Sequence, residues 1–200
     1  MFRCSQLFHS RKFPAATRRW ICRGYSLYEL LVTLAIAGGV ATAGAGVSQI
    51  VRDTAQTAEV NTLIAHLNLA RSEAIKRRQD TVLCPSTDGR RCDAAQDFTW
   101  WHRGMLLFVD TDGNHQPDAH DPVIRIHAPS TTLRIKSSRG RPHVIYQPNG
   151  LASGTNVTFT FCDPRGTGSA RYVIVSNSGR ARVSSTPPDG RADEGLERCP

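Results

Sequence analysis

Two hundred residues, 40% of them apolar, suffice for one domain of ordinary size plus a membrane segment and exclude two large cores. The formal charge of +8 suggests a polyanionic partner only until it is mapped: residues 1–24 hold Arg3, Arg11, Lys12, Arg18, Arg19 and Arg23 and no acid, leaving 19 basic against 17 acidic residues beyond them. Nucleic-acid binding by the chain as a general polycation is thereby excluded, and only a local patch could support it.

The first element in chain order is an apolar run. Residues 30–51 are 22 positions without a charge, enough at about 1.5 Å per residue to cross a hydrocarbon core of about 30 Å. Gly38, Gly39, Gly44 and Gly46 soften it as a helix and also allow close helix packing. The basic stretch before it should stay cytoplasmic and send everything after Val51 outward. Glu29 stands at the mouth of the run, where a carboxylate in lipid is costly unless it finds a partner. Two plainer readings exist: a secretory signal cut after the small residues 41–43, and an uncleaved single-span anchor. Against the secretory signal stand Glu29 and the continuation of the apolar run past Ala43.

The residues around this entry, Arg23-Gly24-Tyr25-Ser26-Leu27-Tyr28-Glu29-Leu30-Leu31-Val32, resemble the class III signal of type IV pilins and type II secretion pseudopilins. The resemblance implies cleavage by a prepilin peptidase after Gly24, methylation of Tyr25 as the new N-terminus, and a filament-assembly role for Glu29 as the fifth mature residue. The amine on Tyr25 of one subunit could pair with Glu29 of its neighbour and relieve both charges in a filament core. Tyrosine stands where the family usually has phenylalanine, and 24 residues make a long leader, so a start downstream of Met1 stays open. The expected organisation is leader 1–24, transmembrane helix 25–52 and an exported domain 53–200.

After Arg52 the pattern becomes Val60, Leu63, Ile64, Leu67, Ala70, Ala74 and Ile75, an amphipathic helix. Its end, residues 67–77, followed by Thr81-Val82-Leu83-Cys84-Pro85, resembles the GspH/FimT family of pseudopilins and minor pilins. Arg71, Lys76, Arg77 and Arg78 read as a solvated helix end that complements the dipole rather than as a nucleic-acid contact.

Six cysteines lie at 4, 22, 84, 92, 162 and 199, and loss of residues 1–24 leaves four, an even set suited to disulfides in an oxidising compartment. No pair has the C-x-x-C spacing of a zinc site. Turn residues fill Cys84 to Cys92, as in a short disulfide-closed loop. Other pairings remain open from sequence, and the family resemblance favours Cys84 with Cys92 and Cys162 with Cys199.

Apolar stretches 105–109 and 123–126 flank a polar, acidic connection and predict a hairpin. Asp110, Asp112, Asn114 and Asp121 match positions 1, 3, 5 and 12 of a calcium loop, but His115 replaces the turn glycine and the twelfth residue is not Glu, so an acidic turn is the reading adopted. His102, His115, His120, His127 and His143 lack metal spacing and read as surface or loop histidines. With no G-x-S-x-G, P-loop or H-E-x-x-H motif, we expect no enzyme, no cofactor and no metal.

From Arg125 to Arg182 nine basic residues face the single acid Asp163. Runs 156–162 and 170–176 around the Asp163-Pro-Arg-Gly-Thr-Gly turn predict a second hairpin. Gly179-Arg180-Ala181-Arg182 then repeats a G-R-x-R pattern found in the DNA-binding FimT branch of that family. Two apart on an extended chain, Arg180 and Arg182 point the same way and can each take a phosphate oxygen, with Gly179 letting the backbone approach a duplex. Arg139, Arg141, Arg165 and Arg171 are possible helpers. The competing reading is that edge-strand arginines are simply solvated and discourage aggregation.

The expected fold is therefore pilin-like α+β: a long N-terminal helix, transmembrane in its first half, packed on a small mainly antiparallel sheet domain. The resemblance implies a single-pass inner-membrane protein with its domain in the periplasm, incorporated into a pilus or pseudopilus. Its partners would be other pilin subunits, the prepilin peptidase, the membrane and, in the minor-pilin reading, double-stranded DNA taken up for transformation. The alternative is a structural type II secretion pseudopilin at a filament tip that binds no DNA.

Overall fold

A computed structural model describes residues 25–93, 100–130, 133–162 and 169–188, with the side chains of residues 40–48 also outside the description. The leader 1–24 with Gly24, the turn carrying Arg165, and Cys199 lie outside the described residues.

Helix α1 (Leu27–Arg77) has 51 residues. It starts at Ser26, whose Oγ accepts the Glu29 N–H at 3.2 Å while Glu29 brings negative charge to the first turn. It ends after Arg77, where Arg78 takes a left-handed φ of 56° that glycine more often supplies. The chain forms two compact units, Met1–Val51 and Arg52–Pro200. In the first, Leu27, Tyr28, Leu30, Leu31, Leu34 and Ile36 are exposed. Among the described residues no helix is long and apolar enough to cross a membrane, and residues 40–48 lie within the segment expected to do so.

In the second unit the remaining part of α1 buries Val60, Leu63, Leu67, Ala70 and Ala74, with Ile64 packed against them. Complete burial of each leucine contributes about 1.5–3 kcal/mol. Ile75, expected on the same stripe, is exposed instead, although it directly follows buried Ala74. Gln56 is buried although polar, because its Nε2 donates to Ser169 O at 2.8 Å.

Eight strands follow: β1 (Asp80–Pro85), β2 (Met105–Asp110), β3 (Val123–His127), β4 (Arg134–Ser137), β5 (Val144–Tyr146), β6 (Val157–Cys162), β7 (Arg171–Val175) and β8 (Ala181–Ser184). They form two four-stranded sheets, ordered β3-β2-β1-β5 and β4-β6-β7-β8, with antiparallel pairing throughout. The predicted hairpins are β2–β3 and β6–β7. Leu83, Leu107, Tyr146, Phe159, Phe161, Val173 and Val175 from both sheets meet the helix in one core, and Trp101 joins them edge-on to Phe159 at 4.8 Å. The opposite face of the first sheet buries Val82, Cys84, Leu106, Phe108 and Ile145, and Cys92 packs against this second cluster. Strands β1 and β2 are covered on both faces, which is why they read as continuous apolar runs.

The Cys84–Cys92 disulfide is present, with Cα atoms 5.6 Å apart. Cys162 is disulfide-bonded as well, and its expected partner Cys199 lies outside the described residues.

Candidate nucleic-acid interface

Strand β8 is an edge strand, paired to β7 with Ala181 opposite Val175 and Arg182 opposite Ile174. The turn before it continues the ladder, Ser176 N–H donating to Arg180 O at 3.2 Å and Gly179 N–H to Ser176 O at 2.8 Å. Ala181 packs against the core, so alternation carries Arg180 and Arg182 to the other side, and both are exposed. Neither makes an ion pair among the described residues.

Gly179 departs from its expected role. It is buried with φ +76°, and a Cβ there would overlap Gly150 O and stand 3.1 Å from Tyr146 Cε1. The glycine lets two turns pack against each other, so no space is left at its backbone for a duplex to enter. Gly150, also at φ +76°, lies against helix α1: a Cβ there would stand 2.9 Å from Ile75 Cδ1 and 3.1 Å from Arg71 Nε. Burial pushes the Tyr146 hydroxyl up to about 12, and the neighbouring Arg71 charge opposes that shift.

The expected helpers separate. Arg141 is half-buried and spends its guanidinium on Gly154 O (2.8 Å) and Asn156 Oδ1 (3.2 Å). Arg171 pairs opposite Phe161, on the strand phase of Val173 and Val175, whereas Arg182 lies opposite Ile174 on the other phase. The structure thus puts Arg171 and Arg182 on opposite faces of the sheet, because they are separated by an odd number of rungs. Arg139 is exposed in the turn after β4, and Arg165 lies outside the described residues. Arg71, set aside in the sequence as part of a solvated helix end, is the arginine that the packing brings against Gly150, which in turn meets Gly179. Its place one turn before Ile75 was visible in the spacing; the contact with Gly150 was not.

At the other candidate sites, Asp110, Asp112 and Asp121 bring oxygens within 4.8 Å of one another. The two buried carboxylates are held by the loop itself: Asp110 accepts from Gly113 and His115 N–H, and Asp121 from Thr111 N–H, Thr111 Oγ and Asp118 N–H. Burial pushes Asp121 upward, but these donors and the His120 charge leave it below the usual carboxylate range. Asp80, opposite Asp110 on β1, is raised by burial and by Asp110. Tyr25 is exposed, as is Glu29.

With this geometry in hand, the similarities to known proteins are specific. A family model described as "Type II transport protein GspH" matches residues 59–179. The crystal structure of the type IV minor pilin FimU of Pseudomonas aeruginosa is similar at 23% identity and a TM-score of 0.54, covering 68% of this chain and 94% of that one. A second crystal form of the same protein gives 22% identity and a TM-score of 0.49, over 67% and 97% of the two chains. Curated proteins gave no match. At these identities the FimU likeness speaks for the fold: a long N-terminal helix on antiparallel sheets.

Proposed function

We propose, from the premise that this chain belongs to the family of the type II transport protein GspH, that it is a minor subunit of a pilus-like filament that binds duplex DNA through Arg180 and Arg182. The observation that carries the DNA reading is the pair of exposed arginines on one side of an edge hairpin, with no acid paired to them among the described residues. Guanidinium groups held two positions apart on a strand meet phosphate oxygens by charge-assisted, bidentate hydrogen bonds. Such contacts are independent of sequence and weaken with salt, as capture of arbitrary DNA requires.

The filament role uses the first unit. Residues 1–24 form a leader removed after Gly24, and residues 25–52 anchor the subunit in the inner membrane, with the domain 53–200 in the periplasm. Tyr25 becomes the methylated N-terminus, and Glu29 neutralises the amine of a neighbouring subunit. The domain contributes no chemistry; its rigidity presents the hairpin.

Gel-shift titration of the full-length protein in detergent tests the DNA reading. The basic leader is common to every variant, so differences report the domain. Arg180→Ala with Arg182→Ala is expected to weaken duplex binding at least tenfold at low salt and to flatten the slope of log K against log salt by about two. Unchanged affinity with the fold intact would leave a structural pseudopilin without DNA, the reading that the family's type II transport description favours.

A further inference from the structure

Arg71 is not treated by the fold as a solvated helix-end side chain. It is half-buried, its Nε lies against Gly150, and its charge reaches the Tyr146 hydroxyl. No ion pair or hydrogen bond engages its guanidinium among the described residues. The nearest acid in sequence, Glu73, is committed elsewhere, to Arg77 Nε at 2.8 Å and Lys76 Nζ at 3.3 Å. The stem has therefore lost freedom on folding while the head keeps its hydrogen-bonding capacity, an arrangement that lowers the cost of ordering it on a ligand.

Gly150 connects this side chain to the arginine hairpin. One side of Gly150 meets Arg71 and Ile75, and its carbonyl meets Gly179, the residue before Arg180. The Gly150 turn thus touches helix α1 through the Arg71 and Ile75 side chains and the β8 turn through its own carbonyl, which links Arg71 to Arg180 through one tightly packed turn. We infer that Arg71 is a third phosphate contact of the same interface, contributed by the helix, so that duplex DNA lies across the junction of α1 and β8 rather than along the hairpin alone. This rests on the DNA reading proposed above.

The test compares four full-length proteins in detergent by gel shift with a short duplex of arbitrary sequence: wild type, Arg71→Met, Arg71→Lys, and Arg180→Ala with Arg182→Ala. Methionine is unbranched and places its terminal methyl where Nε lies against Gly150, so a loss reads charge rather than packing, and thermal melts by circular dichroism verify this. Expected are a several-fold loss of affinity for Arg71→Met, a salt slope flatter by about one, and near-normal binding for Arg71→Lys. If Arg71→Met binds as wild type with an unchanged slope while the double variant is weakened, Arg71 is no contact and the hairpin reading survives. If the double variant also binds as wild type, the DNA reading itself falls.

Discussion

Three histidines of the domain are made harder to protonate by their surroundings. Burial is the first cause for His66, His102 and His143, whose pKa values all lie below 6.5. His66, on α1, meets His127 of β3 edge-on at 5.0 Å, with the His127 and Arg125 charges lowering it further; its Nδ1 lies 2.7 Å from Thr62 O, a bond that pulls the other way and loses. The His127 contact was not foreseen, since the sequence left that residue as a surface or loop histidine, whereas it is half-buried at the end of β3. A histidine with a depressed folded pKa binds its proton more readily when unfolded. Stability from these residues is therefore complete above about pH 7 and declines as pH falls through 6.5 toward the lower folded values. We expect the melting temperature to fall between pH 8 and pH 5, a range in which the lowered carboxylates of Glu73 and Asp121 stay ionised. His66→Gln should flatten part of that fall. A melting temperature that rose on acidification would overturn the account.

At the scale of elements, the joint between the Gly150 turn and the Gly179 turn makes the sharpest prediction. Gly179→Ala places a Cβ on the Gly150 carbonyl at a φ that L side chains rarely adopt, so one of the two turns must move. Strain of this kind costs about 1–3 kcal/mol, and a lower midpoint in urea unfolding is the expected readout. Because Arg180 follows directly, the same variant should also weaken duplex binding while leaving both arginines in place; a variant that binds and unfolds as wild type would show that the joint positions nothing. The joint was not legible in the sequence. Periodicity revealed the helix stripe and both hairpins, since Leu63, Leu67, Ala70 and the runs around residues 105 and 157 repeat at 3.6 or cluster as strands. Whether Arg171 and Arg182 share a face depends on register across the β7–β8 ladder, and whether Gly179 faces solvent depends on a turn 29 residues away in sequence. Both are tertiary facts, and spacing along one segment carries neither. One strand of each sheet escaped for a related reason: β4 of the second sheet has four residues and β5 of the first has three, too few for alternation to stand out.

For the whole molecule the open choice is what Glu29 is for, and the structure sharpens it. Ser26 and Glu29 stand at the S-x-x-E spacing of a capping box, and the Ser26 Oγ accepts the Glu29 N–H at 3.2 Å, so the glutamate has a local role in starting the helix. The filament role asks something different of it, a negative charge that meets an amine on another subunit where water is scarce. Glutamine separates the two, since it serves the third position of a capping box as well as glutamate does but carries no charge. If neutralisation of a neighbour's N-terminus is the task, Glu29→Gln should keep wild-type helicity and an unchanged domain melt, yet fall at least several-fold in the filament fraction sheared from cells that express the partner subunits. The variant would accumulate in the membrane fraction instead. Equal recovery of variant and wild type in sheared filaments would confine Glu29 to capping, and assembly would then have to be driven by the apolar residues 30–51 alone.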